Sequence, residues 1–106
     1  MVPQLTAPQL AEKLRGQNPP TVIDVREPDE YAYCRIERAL LKPLGDIMRW
    51  AKDLDREAEI VLQCHTGQRS LMAANYLQHL GFKRVYNLAG GIDAWSVLVD
   101  PNVPRY

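Results

Sequence analysis

The chemistry in this chain is concentrated in one stretch, Cys64-His65-Thr66-Gly67-Gln68-Arg69-Ser70. A cysteine reacts as its thiolate. An unperturbed thiol, with a pKa of about 8.5, ionises more readily at a helix N-terminus or beside a cation. Gly67 lets the intervening backbone turn tightly, so that successive N–H groups point inward. Arg69 adds a fixed positive charge at the far end of the loop. Together they stabilise a thiolate and also cradle an anion or a persulfide sulfur. The structural alternative for Cys64 is a buried core cysteine at a strand end, since cysteine is among the most buried residue types. With Gly67, Arg69 and Ser70 in place, the reactive reading is preferred.

The other residues able to react or titrate carry weaker signals. Ser70 is expected to cap the helix that follows, a hydrogen bond to Cys64 being the lesser alternative. Arg69 has a structural alternative as a helix-start residue paired with a surface carboxylate. Asp24 lies inside an apolar run with Arg26 two positions on, and a buried carboxylate needs a partner. A structural ion pair or loop anchor is preferred there to direct catalysis. Cys34 is read as filling space, with a resolving-thiol role as the minor alternative. His79, near a helix C-terminus, is read as a solvated dipole partner. Trp95 is read as packing, and Trp50 as core or rim. Neither cysteine belongs to a Cys-x-x-Cys pair, and His65 and His79 are not at zinc-ligand spacing. No metal site and no cofactor are expected.

The elements that must position the loop are legible from periodicity. Ile60-Val61-Leu62 is a strand, and Leu71, Ala74, Leu77 and Leu80 mark a helix stopped by Gly81. Cys64 therefore sits where a strand has ended and a helix is about to begin. Thr6-Ala7-Pro8-Gln9 reads as a capping box opening a helix that Gly16 ends. Thr21-Val22-Ile23-Asp24-Val25 is β-branched and apolar, as in a strand buried on both faces. Ala39-Leu40-Leu41 is a short strand, and Val85-Tyr86-Asn87-Leu88 a last one. Leu44, Ile47, Met48, Ala51 and Leu54 predict an amphipathic helix from about Gly45 to Leu54. Gly90-Gly91 turns the chain into a helix over Ile92–Trp95. The tail, 99–106, carries two prolines and is expected to be extended. Alternating strands and helices predict an α/β layered fold with a mostly parallel central sheet. Such sheets bind ligands beyond the carboxyl ends of their strands, which is where Cys64 falls.

Bulk properties narrow the function. A chain of 106 residues is expected to be one domain over 1–106. Formal net charge is zero, which argues against nucleic-acid or anionic-membrane binding, both of which lean on a basic surplus. No apolar run approaches the roughly 20 residues that span a bilayer. Met1-Val2-Pro3-Gln4 lacks a secretory pattern, so the cytoplasm is the expected location, with both cysteines as thiols.

Four segments, in order, give the chain its resemblance to the rhodanese-like family. They are Asp24 to Tyr31, Cys64 to Ser70, Gly81 to Tyr86 and Leu88 to Trp95. The resemblance implies a three-layer fold with a mostly parallel sheet of about five strands flanked by helices. It also implies a sulfurtransferase. Cys64 would be the nucleophile that accepts a sulfane sulfur, the amides of His65, Thr66, Gly67, Gln68 and Ser70 the cradle, and Arg69 its closure. His65, at a variable loop position, is read as substrate-facing or solvated rather than as a general base. The donor would be thiosulfate or a protein persulfide. The acceptor would be a thiol, cyanide or a sulfur-carrier protein.

One segment departs from the family pattern. Cys34-Arg35-Ile36-Glu37-Arg38-Ala39 stands where Gly-His-Ile-Pro-Gly-Ala is common. This variation, and the ending Asp100 to Tyr106, resemble rhodanese domains fused behind adenylyltransferases that activate sulfur carriers. A persulfide carrier or docking module is the alternative function. A cysteine phosphatase or arsenate reductase is a further one, disfavoured because four residues, not five, separate Cys64 from Arg69.

Overall fold

A computed structural model describes residues 1–106. Five strands form one sheet: β1 (Gln4–Leu5), β2 (Thr21–Asp24), β3 (Leu40–Leu41), β4 (Ile60–Gln63) and β5 (Val85–Leu88). Their spatial order is β1-β5-β4-β2-β3, and every pairing is parallel. The helices are α1 (Ala7–Leu14), α2 (Pro28–Tyr33), α3 (Ile47–Trp50), α4 (Gln68–His79) and α5 (Gly91–Leu98). The central strands are apolar because both their faces are covered. On one face Ile23, Ile60 and Leu62 meet Trp50, Ala73 and Leu77. On the other, Val22, Val61 and Leu88 meet Leu10, Ile92 and Trp95. No helix is long and apolar enough to cross a membrane.

The expected capping box opens α1: Thr6 Oγ1 accepts from the Gln9 N–H at 3.2 Å, and Gln9 Oε1 accepts from the Thr6 N–H at 2.9 Å. Elsewhere the structure corrects the sequence reading. β1 is a strand of two residues, too short for periodicity to show, and it exists because it pairs with β5. The helix expected from Gly45 to Leu54 is one α turn between two 3₁₀ turns, Leu44–Asp46 and Ala51–Asp53. Leu44, Ile47 and Trp50 recur every three residues and all face the core, a spacing that fits the tighter helix. Met48 is exposed, and Trp50 is core, with its Nε1–H donating to the Pro43 carbonyl at 2.8 Å. Arg38 holds a left-handed φ of 77°. It is a conformation that suits glycine, adopted here by a residue with a side chain.

The tail is not simply extended. It turns at 101–103, buries Val103 against α5 and returns Tyr106 to the carboxyl ends of the strands.

Candidate active site

β4 ends at Gln63, so Cys64 is the first residue beyond the sheet's carboxyl edge. Helix α4 begins at Gln68, three residues earlier than periodicity predicts, and Gly67 precedes it with φ of 109°. Arg69 and Ser70 therefore lie in the helix's first turn, where N–H groups have no intrahelical acceptor. The Cys64 sulfur takes up that role. It lies 3.1 Å from the Gly67 nitrogen and 3.4 Å from the Ser70 nitrogen, both donating to it. The positive end of the α4 dipole thus faces the sulfur. Cys64 is 1% exposed, while Thr66 and Gln68 are exposed and His65 is partly buried.

Two elements hold the loop with its amides inward. The N–H groups of Ile92 and Asp93, opening α5, donate to the carbonyls of Cys64 and His65 at 2.8 and 3.1 Å. Gly91 makes this approach possible: its φ is 59°, and a Cβ there would collide with those same carbonyls. From β5, the Asn87 carboxamide donates to the Gly67 carbonyl at 3.1 Å and to Gln4 Oε1 at 3.1 Å. Ser70 does not cap α4 as expected; Gly67 is the N-cap residue, and Ser70 lies within the first turn. Its hydroxyl donates to Asn87 Oδ1 at 2.5 Å and stands 3.3 Å from the sulfur. A hydroxyl has one proton, and the short bond to Asn87 claims it. In the thiol form the Cys64 S–H is then the donor to Ser70 Oγ.

Arg69 does not touch the sulfur. Its two terminal nitrogens grip both carboxylate oxygens of Glu30 at 2.8 and 2.9 Å. That pairing, helped by the Glu27 N–H and opposed by burial, holds the Glu30 carboxyl down at about 2. Arg69 is raised in return, chiefly by Glu30 and to a lesser degree by the charge of Cys64. The arginine is thus close enough to the sulfur to feel it, with its hydrogen-bonding face spent on α2.

Asp24 and Arg26 form the expected ion pair, both fully buried. Arg26 donates from Nε and Nη2 to the two carboxylate oxygens at 2.9 and 2.7 Å, and from Nη2 to the Cys34 carbonyl at 2.6 Å. Burial opposes the Arg26 charge, but the bonds to Asp24 and Tyr106 outweigh it and raise its pKa. Cys34 is buried beside this pair, its sulfur 3.9 Å from Arg26 Nη1. Gln63 is fully buried, and neither atom of its carboxamide has a partner. No group of three or more His, Cys, Asp or Glu side chains is gathered as a metal site would require.

Three residues here were not singled out from sequence. Asn87 carried a signal, being polar within a buried strand. Glu30 was one acid among several in its segment. Tyr106 shows only as the last residue of a tail with a family resemblance, yet its ring stacks on His65 at 3.9 Å and 10°, and its hydroxyl joins Arg26 to Glu30.

A profile of the rhodanese-like domain family matches residues 6–98. The chain is 43% identical over 89 residues to the Rhodanese-like/PpiC domain-containing protein 12, chloroplastic, of Arabidopsis thaliana, a match covering 80% of this chain and 30% of that protein. It is 33% identical over 96 residues to a protein named Sulfurtransferase from Allochromatium vinosum, covering 91% of this chain and 90% of that one. With the Adenylyltransferase and sulfurtransferase MOCS3 of Drosophila persimilis it shares 34% identity, across 97% of this chain and 24% of that protein. The chain thus spans under a third of two of these relatives and nearly all of the other. Among solved structures, a Rhodanese-like Domain Protein from Staphylococcus aureus superposes with a TM-score of 0.85 at 27% identity, covering 99% of each chain.

Proposed function

Because this chain belongs to the rhodanese-like domain family, we propose that it is a sulfurtransferase working through a persulfide on Cys64. The observation that carries the reading is the Cys64 sulfur itself, at the end of β4, receiving the N–H groups of Gly67 and Ser70 at the head of α4. The thiol first loses its proton to solvent. The thiolate then attacks the outer sulfur of a donor, a new S–S bond forms, and the donor's own S–S bond breaks. Its electron pair leaves with the donor fragment, as sulfite from thiosulfate or as a thiolate from a protein persulfide. The terminal sulfur left on Cys64 is an anion, which amide donors stabilise without rearrangement. His65 and Thr66 have N–H groups with no acceptor in the chain, and these are assigned to that second sulfur with those of Gly67, Gln68 and Ser70. An acceptor nucleophile (a thiol, cyanide or a carrier protein) then attacks the outer sulfur, and the Cys64 thiolate departs with the bonding pair.

In this reading Cys64 is the nucleophile and Arg69 supplies positive potential, while Asp24 and Arg26 brace the loop after β2. Two free thiols suit a reducing compartment, and we place the protein in the cytoplasm on that ground. The test is cyanolysis with thiosulfate, wild type against Cys64→Ser. Loss of turnover in the variant is expected; turnover that survives it unchanged would overturn the assignment.

A second reading is favoured by the relative in which such a domain stands beside an adenylyltransferase. There the chain is a persulfide carrier, loaded by a desulfurase and unloaded by a sulfur-carrier partner. Intact-mass measurement separates the two. A gain of one sulfur atom on Cys64 with a desulfurase but not with thiosulfate selects the carrier. Turnover on aryl phosphates would instead select a phosphatase.

A further inference from the structure

The phenol of Tyr106 lies where three parts of the site meet. Its hydroxyl accepts from Arg26 Nη1 at 2.9 Å and donates to Glu30 Oε2 at 2.7 Å. The orientation is forced, since a guanidinium cannot accept and an ionised carboxylate cannot donate. Glu30 is therefore shared between Tyr106 and Arg69. The phenol O–H and the Arg69 guanidinium compete for the same carboxylate oxygen, so the phenol weakens the hold of Glu30 on Arg69, and a cation less tightly neutralised favours an anion nearby. The ring, stacked on His65, backs the residue directly after Cys64, and Tyr33 meets it edge-on at 6.0 Å.

The tail that delivers Tyr106 is tied down. Val103 is buried, its carbonyl accepts from Ser96 Oγ at 2.6 Å, and Arg105 grips Asp93 at 2.8 and 3.2 Å. Asp93 is the residue whose N–H holds the His65 carbonyl. The tail thus reaches the Cys64 loop by two routes, one through side chains and one through backbone.

We propose that Tyr106 is a positioning residue of the Cys64 site, its hydroxyl setting the Glu30–Arg69 pair and its ring setting His65, so that the tail governs how readily Cys64 reacts. The consequence for turnover rests on the sulfur-transfer reading; the consequence for the thiol does not.

The test compares Tyr106→Phe, which keeps the ring, and Tyr106→Ala, which keeps neither group, with wild type. The readout is the iodoacetamide alkylation rate of the Cys64 peptide across pH, followed by mass spectrometry so that Cys34 is scored separately. Tyr106→Phe is expected to slow alkylation at neutral pH about threefold, with its pH profile displaced upward, and Tyr106→Ala about tenfold. Wild-type profiles in Tyr106→Phe and Tyr106→Ala would overturn the proposal, as would faster alkylation, which would make the tail a mere screen. If Tyr106→Ala does not fold, Tyr106→Phe decides alone. Sulfur-transfer assays on the same samples keep the two readings apart. A displaced profile in a protein that transfers no sulfur removes only the proposed function, and an undisplaced one in an active enzyme removes only this inference.

Discussion

At the scale of single residues, the site is a contest for protons and acceptors. Asn87 Oδ1 accepts the hydrogen bond of the Ser70 hydroxyl and its Nδ2 donates to the Gly67 carbonyl, leaving the Gly67 and Ser70 amides to the sulfur. Gln63, one residue before Cys64, has no such partner. A buried unsatisfied amide is destabilising, so Gln63→Leu is expected to stabilise the fold by about 1 kcal/mol, read from the denaturant midpoint. An unchanged or lower midpoint would mean the carboxamide is satisfied. Sequence showed Cys64, Gly67, Arg69 and Ser70 because they are neighbours along the chain, and a short loop carries its own geometry. It did not show Asn87 and Tyr106. Their contacts to Ser70 and Arg26 span 17 and 80 positions, and only folding brings them together. It showed the Asp24–Arg26 pair, since a charge in an apolar run demands a nearby opposite.

At the scale of elements, the loop is a joint between the end of β4 and the starts of α4 and α5. Gly91 is where α5 comes closest, so Gly91→Ala is expected to cost about 2 kcal/mol or more and to slow Cys64 alkylation. Gly45, with nothing within 4 Å of its would-be Cβ, is the control, and Gly45→Ala should stay within about 0.5 kcal/mol. A Gly91→Ala protein as stable as the control would remove the close-approach argument. The Glu30–Arg69 pair ties α2 to α4. Glu30 titrates at about 2 in the fold against an ordinary value of 4.5. A lowered carboxyl pKa stabilises above the unfolded value, and that contribution is lost as pH falls from 4.5 toward about 2. The side chains are 36% and 18% exposed, so screening limits the effect to about 1 kcal/mol. Thermal melts over that range should fall less steeply in Glu30→Gln than in wild type; equal slopes would show the pair contributes nothing. Periodicity found β2, β4 and α4 because their faces are regular. It misjudged the segment around α3, where a three-residue repeat resembles a longer helix over so few turns.

At the scale of the molecule, strand alternation sorts the site onto two faces. Cys64 belongs to the core under α4, whereas Val103 belongs to the core under α5, together with Cys34, Ile36 and Trp95. The tail is thus part of the fold. Val103→Ala should lower stability by about 1–2 kcal/mol in denaturant unfolding, where a loose tail would give almost no change. The overall layering was legible from alternation alone, while the tail's return was not, since prolines state where a helix cannot run but not where a chain goes next. The edge strand and the tail both reach toward the loop that carries the reactive sulfur. Gln4, in the edge strand, is one side chain from the Ser70 hydroxyl through Asn87, and Tyr106 lies against His65. Loosening of the tail is therefore felt at His65 in one contact, and loosening of β1 at Ser70 in two. A displacement of the tail or of the edge strand would thus be passed on to the loop that holds Cys64.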